Sequence, residues 1–221
     1  MTTNLENHIL EIKETFLGFS EKIVNNVQLA AELIKNKDDS RIDTVRSNDK
    51  LIDQEEITIE ETVIQIIAMY QPKAHLLRYL VAILKVNNDL ERISDLAVNM
   101  AKSVKVLVKY PDESLYYLIE MIDKVLIMLD MSIKALLEQD SALALDVCKL
   151  DDEVDDLKSS QRVEVSKCIQ AEPDKVNYLL EIIINGRRLE RIADLCTNIA
   201  EDVIYITDGE IIRHRTWDPT S

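Results

Sequence analysis

Two nearly identical stretches decide how this chain folds: LERISDLAVNMA at residues 90–101 and LERIADLCTNIA at residues 189–200. Each carries the pattern Glu-x-x-x-Asp-x-x-x-Asn. On an α-helix, residues four apart are offset by only about 40°, so the three oxygen-bearing side chains of each copy form one stripe. A repeated stripe of hard oxygen ligands predicts two related metal sites on a duplicated helical fold. The stripe residues are Glu91, Asp95 and Asn99 in the first copy, and Glu190, Asp194 and Asn198 in the second.

The composition favours long helices and argues against nucleic acid as the main partner. Of 221 residues, 47% are hydrophobic, and only three glycines and four prolines occur, whereas a β-rich chain needs many more turn residues. The net charge of −15 argues against nucleic acid or an anionic membrane surface as the main partner, because phosphate binding needs clustered Lys and Arg. It favours cations or a basic protein surface, although solubility of exposed helix faces is by itself the commoner explanation of such a charge.

The cysteines and the N-terminus predict a reduced, cytoplasmic protein. Cys148, Cys168 and Cys196 are odd in number and lack CxxC spacing, so they resemble small core residues and not a disulfide frame or a zinc site. The first residues show no basic-then-apolar signal, and no apolar run is long enough to span a bilayer. We therefore expect a soluble protein without direct membrane insertion.

Apolar spacing predicts six helices. The first helix has an apolar seam from Leu5 to Ile34 with steps of three or four, and the fourth has the same seam from Leu115 to Leu136. Breaks fall at 36–40, Pro72, Pro111 and 139–141. Pro173 should open the last helix, which should end near Asp208 and Gly209.

The order of features is the same in both halves: seam helix, acidic helix, proline, motif helix. This order predicts an all-α fold of two antiparallel three-helix bundles packed side by side. We expect a first bundle at residues 1–110, a second at 111–208, and a polar C-terminal tail at 209–221.

The stripes should lie opposite the apolar faces of their own helices, towards solvent or the edge of a neighbouring helix. An acidic pair with i, i+4 spacing stands on each preceding helix, and antiparallel packing would bring each pair towards a stripe. These pairs are Asp49 with Asp53, followed by Glu56, and Asp151 with Asp155, followed by Lys158. Lys102 stands where the second copy has Glu201, which predicts a less acidic first site.

A single acidic triplet is usually a solvated helix face, and like charges four apart are slightly unfavourable without a cation. Two near-identical triplets, each with its own acidic pair, favour metal binding over that reading. The three histidines are scattered without ligand spacing, and the chain has no Gly-rich phosphate loop and no nucleophile elbow. We therefore expect a protein that is not an enzyme.

The duplicated phrases, the acidic helix before each, and the closing run DGEIIRH at 208–214 resemble the PhoU family of accessory regulators of phosphate uptake. Residues 71–101 are particularly similar to the first repeat of that family, and the resemblance covers nearly the whole chain. Family members often have Gly before the central Asp, where this chain has Ser94 and Ala193; a small residue is kept, so close helix approach should survive.

The resemblance implies a cytoplasmic negative regulator, often dimeric, that binds iron or zinc clusters. It also implies contacts with the ATPase of the phosphate transporter (PstB-like) and with a sensor kinase (PhoR-like). The ligands carried over by position are Glu91, Asp95, Asn99, Asp49 and Asp53 in the first site, and Glu190, Asp194, Asn198, Asp151 and Asp155 in the second.

Two other functions compete with this one. A carboxylate-bridged metalloenzyme of ferritin-like type would carry Glu-x-x-His on two helices, with its ligands pointing into the core, and both features are missing. A metal-free helical scaffold would tolerate replacement of the stripe acids, with stability unchanged or raised.

Overall fold

The computed structural model describes residues 2–208 except 112 and 114. None of these residues forms a strand, and the chain runs through six long α-helices with one 3-10 turn, Pro173–Lys175, before the last. This confirms the predicted all-α class. The helices are α1 (Thr2–Asn36), α2 (Ile42–Tyr70), α3 (Ala74–Leu107), α4 (Tyr116–Glu138), α5 (Ser141–Ala171) and α6 (Val176–Asp208).

The helix ends follow the local chemistry of the sequence. Lys37, Gln71 and Gln139 adopt positive φ angles of 48°, 46° and 55°, the left-handed conformation that stops a helix. Asp140 then caps α5, because its Oδ1 accepts hydrogen bonds from two backbone N–H groups of the first turn. Pro173 opens the short 3-10 turn and not α6 itself, which begins at Val176.

The helices pack as two three-helix bundles, α1–α3 and α4–α6. The bundles meet along α3 and α6, with a smaller contact between α1 and α4. Helices α3 and α6 run antiparallel: Lys85 lies beside Asp202 near one end of the contact, and Ser103 lies beside Asn185 near the other. The apolar seams predicted for α1 and α4 are buried, as Phe16, Ile23 and Leu129 illustrate.

Lys37 holds the connection between the bundles. Its ammonium donates hydrogen bonds to the backbone carbonyls of Tyr110, Pro111 and Glu113, the last two at 3.0 and 2.6 Å. The predicted domain boundary between 110 and 111 falls in this connection and stays a prediction, and the predicted tail at 209–221 lies outside the described residues. Within the described part of the chain, no helix has both the length and the apolar character needed to cross a membrane.

Candidate functional site

The carboxylates of the first half gather along the edge between α2 and α3, and we call this group the first cluster. It consists of Asp49, Asp53 and Glu56 on α2 with Glu91 and Asp95 on α3. The carboxylate of Glu91 feels the negative charge of all four others. Glu91 and Asp49 are half-buried, while Asp53 and Asp95 are exposed. The helices therefore bring the predicted acidic pair and the predicted stripe together, at the helix edge and not in the core.

A hydrogen-bonded chain fixes the inner side of the first cluster. Ser94 Oγ donates to Asp49 Oδ1 at 2.7 Å, which joins α3 to α2. The fully buried Asn26 of α1 donates to the carbonyl of Val45 at 3.2 Å and lies 3.4 Å from Ser94 Oγ. Asp49 is therefore held directly by α3 and, through Ser94, indirectly by α1, while Asp53 and Asp95 are exposed to solvent.

The carboxylates of the first cluster repel one another. Burial raises the pKa of Asp49, and the nearby charges of Asp53 and Asp95 raise it further, while the Ser94 hydroxyl acts in the opposite direction. Burial also raises the pKa values of Asp53, Glu56 and Glu91, and neighbouring carboxylates add to each of these shifts. Groups of like charge that raise one another's pKa disfavour the anionic state, so a cation placed among them would stabilise it.

The second cluster lies at the matching edge between α5 and α6. It consists of Asp151 and Asp155 on α5 with Glu190 and Asp194 on α6. Burial raises the pKa of Asp151 to about 6, helped by the charges of Asp194 and Asp155. The pKa of Asp194 is also raised, by burial and then by Glu190, although Arg191 opposes this shift from 3.5 Å away.

The second cluster contains a cation of its own. Lys158 Nζ lies 2.5 Å from Glu190 Oε1 and 3.6 Å from Asp155 Oδ1, and so links α5 to α6. The hydrogen bond to Glu190 raises the pKa of Lys158, so the ammonium stays charged. In the first half, Lys102 is exposed and donates to the amide oxygen Asn99 Oδ1 at 3.2 Å. The positive charge thus stands inside the second cluster but at one end of the first, which the sequence comparison of Lys102 with Glu201 did not anticipate.

The two predicted asparagine ligands differ from the acids. Asn99 already accepts a hydrogen bond from Lys102, and Asn198 is exposed on α6. Among the described residues, no three Asp, Glu, His or Cys side chains stand close enough together to hold an ion as they are placed. Convergence on an ion would therefore require side-chain rotations, which exposed residues such as Asp53 and Asp95 can make at little cost.

Each cluster also ends at a buried carboxamide that the sequence analysis missed. Asn87 is fully buried, and its Nδ2 donates to the backbone oxygen of Glu56 at 2.9 Å and to Glu56 Oε1 at 3.0 Å. Its Oδ1 has no hydrogen-bond partner among the described residues. Asn87 lies one helical turn before Glu91, so extending the i, i+4 spacing backwards by one step would have found it.

In the second half, Gly186 takes the place of Asn87, and Gln161 reaches across from α5. A Cβ on Gly186 would stand 2.1 Å from Gln161 Oε1, so the glutamine side chain lies in the space that the glycine leaves open. Gln161 is buried, and its Nε2 has no hydrogen-bond partner in the described structure. The first half therefore supplies its buried carboxamide from α3, and the second half supplies its own from α5.

A further charged group lies at the contact between the bundles. Lys85 Nζ pairs with the buried Asp202 at 2.9 Å, across α3 and α6. Asp89 follows one turn later, and burial raises its pKa to about 6 even though Arg92 lies 3.7 Å away. These residues sit outside both clusters and were not among the predicted site residues.

The donor set fits a hard or borderline cation at the first cluster. Its five carboxylates, together with the unpaired Asn87 oxygen, are the oxygen donors that such ions prefer. The cysteines do not compete: burial raises the pKa of Cys148 to about 11 and that of Cys196 to about 12, so both stay thiols at neutral pH. All three cysteines are free, and Cys196 is buried as expected for a core residue.

Comparison with known proteins gives one consistent result. The family model described as the PhoU domain matches residues 16–104 and 118–203, one match in each bundle. A Thermotoga maritima protein named phosphate-specific transport system accessory protein PhoU homolog 1 is 36% identical over 183 residues, covering 82% of this chain and 79% of that protein. A Clostridium acetobutylicum protein named phosphate-specific transport system accessory protein PhoU homolog is 31% identical, covering 93% of this chain and 94% of its own length.

A solved structure supports the same assignment. The crystal structure of PhoU from Pseudomonas aeruginosa superposes with a TM-score of 0.89 at 29% identity, covering 93% of this chain and 99% of that one. The two family matches coincide with the two bundles, which is the duplication that the repeated LERI phrases predicted. The sequence, the fold and the relatives therefore agree that this chain belongs to the PhoU family.

Proposed function

We propose that this protein restrains phosphate uptake and phosphate-dependent signalling when phosphate is plentiful. The observation that carries the proposal is the match of both bundles to the PhoU domain, together with relatives named as accessory proteins of the phosphate-specific transport system. The matches span most of the length of these relatives, so this chain can serve in the same system.

The proposed mode of action is protein contact without catalysis. The partners are the ATPase of the phosphate transporter and a membrane sensor kinase, reached from the cytoplasm, with the chain acting as a homodimer. Long amphipathic helices with exposed polar faces suit a docking role, and the net charge of −15 favours basic surfaces on those partners.

The second part of the proposal is that the protein binds metal ions, iron or zinc. The first cluster supports this part, because burial and mutual repulsion disfavour the charged form of its carboxylates, and a bound cation would offset both effects. Such an ion would supply positive charge that ties α2 to α3 or attracts an anionic ligand. The residues proposed to hold ions are Asp49, Asp53, Glu91, Asp95 and Asn99, and in the second half Asp151, Asp155, Glu190, Asp194 and Asn198.

A ferritin-like metalloenzyme receives no support from the arrangement of these residues. Such enzymes bind their ions inside the bundle, whereas Asp53, Asp95 and Asp155 are exposed at helix edges. A metal-free scaffold is the remaining alternative, and the metal measurement below separates it from the proposal.

The partner claim is tested with purified proteins from the same organism. The transporter ATPase and the cytoplasmic part of the sensor kinase would be immobilised in turn, and binding of the full chain measured by surface plasmon resonance. We expect saturable binding to each and none to an unrelated transporter ATPase, which serves as the control. Equal binding to the unrelated ATPase, or no binding to either partner, would contradict the claim.

The metal claim is tested on protein purified without chelator, beside an Asp95→Ala/Asp194→Ala variant. We expect iron or zinc in stoichiometric amount by plasma mass spectrometry, lost in the variant. Equal and negligible metal in both would favour the scaffold, and light scattering on the same samples would report the oligomeric state.

A further inference from the structure

The internal repeat pairs each acidic position of α2 with one on α5, and at one of these positions the charge is reversed. Asp49 corresponds to Asp151 and Asp53 to Asp155, but Glu56 corresponds to Lys158. Glu56 and Lys158 stand at the same end of their clusters. Glu56 faces Asn87 one turn before Glu91, and Lys158 faces Glu190.

Lys158 places a positive charge between the two helices of the second cluster. Its ammonium contacts one carboxylate from each helix, Asp155 on α5 and Glu190 on α6. An incoming cation would have to displace this ammonium and would be repelled by its charge while it remained nearby. The second cluster is therefore already neutralised in part by a covalently attached cation.

The first cluster lacks such a cation at the matching position. Glu56 adds a fifth carboxylate there, and the nearest lysine of the stripe helix, Lys102, binds Asn99 on the other side of Asp95. Lys102 is exposed and its hydrogen bond goes to a neutral amide, and its charge is only the smallest of the influences on the pKa of Asp49.

Asn87 points independently to a ligand at the first cluster. It is fully buried, its Nδ2 is used by Glu56, and its Oδ1 is left without a hydrogen-bond partner among the described residues. A buried carbonyl oxygen without a partner is costly, and a cation bound next to Glu56 would satisfy it. The second half has Gly186 at this position, and the carboxamide beside it is that of Gln161 on α5, whose unpartnered atom is the donor Nε2 and not an oxygen.

We propose that the two clusters have diverged: the first binds the cation, with Asn87 as an added oxygen donor, and Lys158 permanently takes the cation's place in the second. This inference rests on the metal part of the proposed function and restricts it to the first cluster. Each chain would then have one ion site, in its first half. In its second half, the ion pair of Lys158 with Glu190 links α5 to α6 instead.

The internal repeat supplies the test, because each half offers the residue needed to convert the other. The full chain would be stripped with chelator and equilibrated with saturating Mn²⁺ at physiological salt, since Mn²⁺ suits an all-oxygen site. Plasma mass spectrometry would then give the ions bound per chain. We expect one ion in the native chain, two in Lys158→Glu, none in Glu56→Lys, and one in the double variant.

Two controls keep the result interpretable. Glu21→Lys makes the same charge change on α1, away from both clusters, and should still bind one ion. Circular dichroism and thermal melting would confirm that each variant is folded. Asn87→Leu should weaken Mn²⁺ binding at least tenfold, whereas Asn88→Leu, at the exposed neighbouring position, should leave it unchanged.

The experiment distinguishes a failure of the divergence between the clusters from a failure of metal binding itself. Two ions in the native chain, or one ion that survives Glu56→Lys, would overturn the divergence and leave the metal part of the proposed function standing. No ion in the native chain, whether it is equilibrated with Mn²⁺ or in parallel with Zn²⁺ or Fe²⁺, would overturn both. Unchanged binding in Asn87→Leu would remove the asparagine from the proposed donor set.

Discussion

The hydroxyl of Ser94 on α3 donates a 2.7 Å hydrogen bond to the carboxylate of Asp49 on α2. The second half has Ala193 at the matching position, so only the first cluster has this link. We predict that Ser94→Ala lowers the free energy of unfolding by about 1 kcal/mol, the usual value of one such bond. It should also raise the pKa of Asp49 further, because the hydroxyl favours the anion. Urea denaturation and NMR titration of the carboxyl measure the two effects.

Ser20→Ala is the matched control for that prediction. Ser20 is equally buried, but its hydroxyl donates to Phe16 O within its own helix and joins no second element. Its loss should cost less than that of Ser94. Equal losses, or an unchanged pKa of Asp49, would show that the bond between α2 and α3 does not set the properties of the cluster.

Asp89 should make stability fall as the pH rises. Burial raises its pKa to about 6 from an ordinary value of 3.8, so between these values the folded chain holds a proton that the unfolded chain releases. The resulting stability is present below about pH 4 and is lost as the pH rises through about 6. Asp151, whose pKa burial also raises to about 6, contributes in the same direction.

The check is urea denaturation of chelator-treated protein at pH 5 and pH 7, beside Asp89→Asn. Each tenfold difference in proton affinity is worth about 1.4 kcal/mol, so the effect is measurable. We expect Asp89→Asn to be more stable than the native chain at pH 7, with a smaller difference at pH 5. A variant less stable than the native chain at pH 7 would show that its ion pair with Arg92 outweighs burial.

A methyl group at Gly186 should force the side chain of Gln161 to move. A Cβ there would meet Gln161 Oε1 at 2.1 Å, so the end of this buried side chain would have to shift within the core. Helix propensity favours Ala over Gly by about 1 kcal/mol, but overpacking costs about 1–3 kcal/mol, so we expect Gly186→Ala to be destabilised or at best neutral.

The first half suggests the matched rescue. There, Asn87 and Ile59 occupy the positions of Gly186 and Gln161. The pair Gly186→Asn/Gln161→Ile should therefore be more stable than Gly186→Asn alone, as thermal melting would show. A gain of about 1 kcal/mol from Gly186→Ala by itself would mean that Gln161 moves aside freely.

The charge of Lys37 should stabilise the connection between the bundles, although its left-handed backbone conformation is unfavourable for a lysine. Its φ of 48° favours glycine, yet its ammonium binds three carbonyls of the connection. We predict that Lys37→Gly lowers the free energy of unfolding by about 1–3 kcal/mol and speeds proteolysis near residues 108–115.

Gln71→Gly is the control, because Gln71 has nearly the same φ, 46°, at an exposed helix end. This change should be neutral or slightly stabilising, since it relieves backbone strain without loss of such contacts. If the two substitutions had the same effect, the ammonium of Lys37 would have no role in holding the connection.

The fold could be predicted from the sequence because its signals are local and repeated. The seams from Leu5 and Leu115 fix the buried faces by spacing alone, and the left-handed ends at Gln71 and Gln139 fall where the pattern breaks. Pro173 is the small exception, because a proline at the start of a helix is equally compatible with a 3-10 turn.

The candidate site was predictable only in part. Residues four apart on one helix are neighbours by geometry, so spacing alone predicts the stripe of Glu91 and Asp95 and the pair of Asp49 and Asp53. Contacts between helices depend on register, which single-helix spacing does not give. The bridge from Lys158 to Glu190 and the reach of Gln161 to Gly186 therefore appeared only in three dimensions.

The most direct test of the regulatory account is the rate of phosphate uptake by cells in phosphate-rich medium, with and without this chain. We predict that cells lacking it take up phosphate several-fold faster, and that re-expression of the native chain restores the slow rate. Equal uptake in the two strains, with the transporter present in both, would contradict the claim that the protein restrains the phosphate transport system.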